Sequence, residues 1–236
     1  MRLFNYDSPL MQALGKVADL MWLNVLTLIC CIPVITAGAS LTAMNYMALK
    51  IVRNEECYIT RGFFKSFKEN FKQATVIWLM LLVAIVVVIC DFYVMSLAEF
   101  EFGNIMRVAI TLVAVFVVLE TLYVFPVLAK FENTIWGTIK NSFLLSVMQF
   151  PKTILMGILY LLPLGMLLVA YQAVPLVFLF GLSVPAWASA HLYNKIFKRL
   201  EDQIIAISGE ADAGNEDEHI FSDALEESLT DRSQSR

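Results

Sequence analysis

The amino-acid sequence predicts an all-α, polytopic membrane protein of about five transmembrane helices, with interfacial amphipathic helices beside them. Three observations carry that expectation. Of the 236 residues 59% are hydrophobic and only 16% charged, against about 45–50% and about 25% in soluble domains, and the mean hydropathy is +0.70. The apolar residues gather in runs long enough for a hydrocarbon core of about 30 Å, which needs about 20 of them. Basic and non-basic connections alternate in step with those runs.

Residues 1–16 read as an N-terminal interfacial segment, with Ser8 as helix cap and Pro9 at the first helical position. The transmembrane domain, 17–200, opens with Val17 to Met47, almost wholly apolar. As one helix this stretch would extend about 46 Å, longer than one span and too short for two. Pro33 removes a backbone donor, while Thr36, Gly38 and Ser40 let freed carbonyls find side chains or close neighbours. These four residues therefore mark a helix break. The expectation is a span at 17–37 and a shorter helix at 41–52, with the N-terminus outside. A helical hairpin broken at Pro33 is the alternative; it raises the count to six spans and puts the N-terminus inside. Ala37-Gly38-Ala39 also fits a signal-cleavage pattern, but the apolar character continues past it, and cleavage would leave the next, basic loop outside.

That loop, 50–72, holds Lys50, Arg53, Arg61, Lys65, Lys68 and Lys72. Further spans are expected at 74–97, 105–129, 153–171 and 176–193. Glu99 and Glu101 lie in the first short turn, Lys130, Lys140 and Lys152 in the next loop, no charge in 172–175, and Lys195, Lys198 and Arg199 close the last helix. The positive-inside rule then places loops 50–72 and 130–152 and the C-terminus in the cytoplasm. The tail, 201–236, carries eleven acids and two bases, a composition expected to stay disordered.

Phe63, Phe67 and Phe71 recur every fourth residue with Phe64 beside them, and Lys65, Lys68 and Lys72 fall on the other face. This pattern fits a linker helix that anchors the next span, or a helix in the headgroup plane with rings toward acyl chains and amines toward anionic lipid. A second amphipathic stretch covers 135–150. Within the spans the ionisable residues are Asp91, Arg107 and Glu120, each costly in lipid and expected to find a partner. Asp91 and Arg107 lie near the outer ends of adjacent helices and form a candidate ion pair. Glu120 is expected to face a polar stripe of Ser183, Trp187 and His191 on the last span, with Tyr160 at similar depth. Hydrogen bonds to Glu120 from some of Tyr160, Ser183 and Trp187 would make an intramembrane cluster, either for packing or for a proton or solute.

Catalytic motifs are missing: no Gly-rich phosphate loop, no HExxH, no GxSxG, and no metal-ligand cysteine spacing. The expectation is a protein without enzymatic activity, cofactor or metal.

The Asn5-Tyr6-Asp7-Ser8-Pro9 opening, the Cys31-Ile32-Pro33-Val34-Ile35-Thr36-Ala37-Gly38-Ala39-Ser40 element and the Phe63 to Phe71 segment together resemble the YesL-like family of bacterial membrane proteins, whose function is poorly defined. The resemblance spans roughly residues 1–200 and leaves out the acidic tail. It implies a multi-pass protein of the bacterial plasma membrane associated with carbohydrate uptake, with no catalytic residues to carry over. The expected function is a non-enzymatic accessory or regulator linked to carbohydrate transport; the alternative is a small-solute transporter or channel subunit in its own right. The expected partners are the lipid bilayer, membrane subunits of a sugar transporter and a second copy of the chain, with nothing pointing to nucleic acid.

Overall fold

The computed structural model of the protein describes residues 9–55, 58–97 and 103–210. The expected Ser8 cap, the turn at Glu99 and Glu101, and the tail from 211 onward lie outside the described residues. Every regular element described is helical: α1 (Pro9–Cys31), α2 (Ala37–Arg53), α3 (Ile59–Leu97), α4 (Gly103–Lys130), α5 (Ile135–Met148), α6 (Phe150–Val169), α7 (Val174–Phe180) and α8 (Ser183–Glu210). Four helices are long and apolar enough to cross a membrane, and α7 with α8, bent by 48°, makes a fifth crossing if the pair is one broken span. The fold class is the one the sequence predicts.

The first apolar stretch divides, as expected, into a longer helix, α1, and a shorter one, α2, and the two pack as a hairpin. The Lys16 ammonium donates to Asn54 Oδ1, at the end of α2, at 2.6 Å, so α2 returns antiparallel to α1, and the Trp22 indole donates to Thr60 Oγ1 of α3 at 2.8 Å. Each break residue has a distinct part in this turn. Pro33 ends α1, and the Thr36 hydroxyl lies against the carbonyls of Cys30 and Pro33. Ser40 donates across the hairpin to the Thr27 carbonyl at 3.0 Å. A side chain on Gly38 would stand 2.5 Å from the Ala74 carbonyl oxygen, so its absence lets α2 lie directly on α3. The hairpin brings Lys16 beside the end of α2, where the first basic loop begins.

Twelve of the seventeen residues of α2 are buried, and the helix packs against α1, α3, α4 and α8. Its polar residues are met locally: Thr42 donates to the Gly38 carbonyl and Asn45 to that of Leu41. Asn54 ends the helix with φ of 54°, the left-handed conformation that closes a helix C-terminus.

Residues 62–72 are the first turns of α3, a single helix of 39 residues and about 58 Å, which fits a linker helix that leads into the next span and not a separate helix in the headgroup plane. Gly62 brings the helix against the Met47 sulfur, and Phe63 is fully buried in the core with Met44 and Met47. Its ring stacks on Phe67 at 6.2 Å. This corrects Phe63 as a lipid contact, while Phe64, Phe71 and the three lysines remain exposed.

The hairpin turn reaches only as far along α3 as Trp78, whose indole donates to the Val34 carbonyl at 2.7 Å. The rest of α3, about 28 Å at 1.5 Å per residue, runs on past it. From Leu79 onward only Leu81 and Met95 of its described side chains are buried, and on α4 none is from Ile105 to Leu119. These two stretches form an apolar arm standing beyond the bundle.

The second amphipathic stretch packs as α5 along α4. Phe143 stacks on Phe116 at 4.2 Å, and Ile135 joins the cluster holding Val124, Phe125 and Leu128, so the two helices are antiparallel. At the other end of the bundle Asn24, fully buried, holds the break between α7 and α8. Its amide donates to the Phe178 carbonyl at 2.7 Å, and its Oδ1 accepts from the backbone N–H groups of Leu182 and Ser183 at 2.9 Å each. Residues 201–210, expected in the tail, continue α8.

Candidate functional site

Glu120 is the point where the arm enters the bundle. It is 4% exposed, although every described side chain before it on α4 is at least partly exposed. Neither carboxylate oxygen has a hydrogen-bond partner. It lies one turn from Phe116 and one turn from Val124, which pair with opposite ends of α5, so the antiparallel register sets it opposite the Thr138–Ser142 segment. That segment is polar on its inner face. Thr138, Asn141, Ser142 and Ser146 are all buried, and the hydroxyls of Thr138 and Ser142 also lack partners. A carboxyl group among free hydroxyls is equipped to hold a proton or a small polar solute.

The hydrogen bonds expected from the last span to Glu120 are not made. The break at Gly181 and Leu182 places Ser183 against Asn24 of α1 instead. The Ser183 hydroxyl and the Trp187 indole N–H have no partner. His191 is exposed and turns back onto its own helix, donating from Nδ1 to the Trp187 carbonyl at 3.0 Å. Tyr160 neighbours Ser189 of α8, whose hydroxyl has no hydrogen-bond partner. It belongs to a second polar group with Tyr123 and Tyr193, close to Arg53. The Tyr123 hydroxyl and Thr153 are neighbours whose geometry falls short of a hydrogen bond. Asp91 and Arg107 are both exposed, and no ion pair joins them among the described residues.

Arg53 anchors the polar interior at the basic end. Its Nε donates to Asn194 at 2.9 Å and its two terminal nitrogens to Glu201 at 2.8 and 3.0 Å. Lys130 reaches the same carboxylate at 3.5 Å. Among the described residues no group of His, Cys, Asp and Glu is placed to hold a metal ion. Sequence reasoning missed both the α5 stripe and this network. The stripe had a signal in the spacing of Thr138, Asn141 and Ser142 by three and four residues, but the surrounding amphipathicity points equally well to lipid or to a neighbouring helix.

Residues 20–92 match the family model described as protein of unknown function, DUF624. No curated protein and no solved structure matches the chain. The matched segment covers the second half of α1, all of α2 and most of α3. It therefore contains the hairpin, the Pro33 to Ser40 break and Arg53, whereas Glu120, the α5 stripe and Glu201 lie beyond it.

Proposed function

We propose that the protein is a non-enzymatic accessory or regulator linked to carbohydrate transport in a bacterial plasma membrane. In this reading it is a YesL-like protein whose basic loops and C-terminus face the cytoplasm. The observation that carries the accessory role is the arm. Val83, Ile89 and Val94 of α3 and Val108, Leu112 and Val118 of α4 are each about half exposed or more. The chain's own bundle leaves these faces free, and a two-helix arm of this kind suits packing against helices of another membrane subunit. The link to carbohydrate rests on the family resemblance. The test is growth of a deletion strain on single carbon sources, with pull-down of the tagged protein. A growth defect confined to particular sugars, with transporter subunits recovered, supports the reading; uniform growth and no recovered membrane subunit would refute it.

A second reading, a small-solute transporter subunit in its own right, is favoured by Glu120. An unpaired buried carboxyl in a membrane helix is costly and is the kind of group that proton-coupled transport uses.

A further inference from the structure

We infer that a cavity at the basic end of the bundle, between α3, Tyr46 of α2 and the α4–α5 corner, binds the phosphodiester headgroup of a membrane lipid. The cavity measures about 950 Å³, and its wall includes Lys65, Lys72, Lys130, Gln73 and Asn133. Asn133 is only 7% exposed, yet neither its amide nitrogen nor its oxygen has a hydrogen-bond partner. Its backbone carbonyl accepts from Gln73 Nε2 at 3.1 Å, which fixes the corner against α3. A buried amide held in place with both ends unused is a site for a polar ligand.

The charges select the ligand. The cavity wall holds Lys65, Lys72 and Lys130 beside Glu69 and Glu132, so three cations meet two carboxylates. Lys65 is held 3.9 Å from Glu69, while Lys130 shares Glu201 with the bidentate Arg53. One positive charge is left in excess, matching the single negative charge of a phosphodiester. Glu132 and the Asn133 oxygen supply acceptors for headgroup hydroxyls.

Position identifies the source. Lys72 stands two residues before the apolar run that begins at Ala74, and Lys130 ends the apolar run of α4. The cavity thus opens where hydrocarbon gives way to headgroups, and basic pockets between transmembrane helices at that level take anionic lipid headgroups. The site stands whether or not another subunit binds the arm.

Native mass spectrometry of the full-length protein in detergent, with added phosphatidylglycerol or phosphatidylcholine, tests this. Phosphatidylglycerol should be retained in preference. Lys72→Ala should lower its apparent affinity about fivefold, the worth of one lysine at an anionic surface. Asn133→Asp, which sets a carboxylate in the cavity at unchanged size, should lower it at least as much. Lys68→Ala, on the same helix but outside the cavity wall, should leave it unchanged. Equal retention of the two lipids, or equal loss in all three variants, would overturn the site. Displacement of the lipid by inorganic phosphate at matched concentration would overturn the lipid as its ligand.

Discussion

The guanidinium of Arg53 forks onto the carboxylate of Glu201 at 2.8 and 3.0 Å, tying the end of the buried helix α2 to a point 148 residues away on α8. The Arg53 side chain is 8% exposed and that of Glu201 is 24% exposed. Removing one partner of a buried pair strands the other charge. Glu201→Ala should therefore destabilise the protein by about 3 kcal/mol, because it strips the carboxylate from both Arg53 and Lys130. Lys130→Ala leaves the fork intact and should cost under about 1 kcal/mol. Thermal unfolding in detergent, followed by size-exclusion fluorescence, checks the order; equal losses would show that the fork does not hold α2 to α8.

Gly38 and Gly165 make a paired test of the α2–α3 contact. A Cβ on Gly38 would meet the Ala74 carbonyl and Trp78 Cβ at 2.5 Å, whereas one on Gly165 would meet nothing within 4 Å. Gly38→Ala should cost about 1–3 kcal/mol through overpacking. Gly165→Ala should be neutral or stabilise by up to about 1 kcal/mol through helix propensity. The same unfolding assay separates them, and a tolerated Gly38→Ala would mean that the two helices are free to move apart.

Glu120 should limit stability. Its carboxyl is buried with no partner, so Glu120→Leu removes an unsatisfied polar group and should raise the unfolding temperature in detergent or nanodiscs. If Glu120→Leu lowers it, the group has a partner that the bundle geometry does not reveal. In cells the same variant divides the two functional readings: the accessory role predicts sugar-dependent growth as in the wild type, and proton-coupled transport predicts its loss.

The hairpin makes a topological prediction. Because Lys16 meets Asn54 and Lys130 meets Glu201, the start of α1, the α4–α5 corner and the end of α8 should share the cytoplasmic side. In a protein stripped of native cysteines, Gln12→Cys, Glu132→Cys and Asp202→Cys should resist an impermeant maleimide in intact cells, and Gln172→Cys should react. Labelling of Gln12→Cys alone among the first three would restore an external N-terminus.

How much of this was legible in the sequence follows from what each signal depends on. Helix class and approximate spans depend on hydropathy along the chain, which is local, and they match. The break at Pro33 is local too, but whether the chain turns back there depends on Gly38 lying on Ala74 and on Lys16 reaching Asn54, contacts between segments far apart in sequence. Phe63 illustrates the limit of amphipathic patterns: a ring every fourth residue marks an apolar face without saying whether lipid or protein covers it, and Phe63 is buried in the cluster that holds Met47 of α2. The polar stripe through Ser183, Trp187 and His191 assumed an unbroken last span. Asn24 holds a break there, supplied by α1 more than 150 residues earlier, and no local pattern announces it.

The accessory role is tested most directly by photocrosslinking in living cells, with a photoreactive amino acid placed at Val87 or Val113 on the arm, and at Ile158 or Leu161 on α6 for comparison. All four positions are exposed. The arm positions should yield a discrete adduct with another membrane protein, and the α6 positions should not. Adducts from the arm that contain only lipid, or only a second copy of this chain, on every carbon source tried would contradict the account.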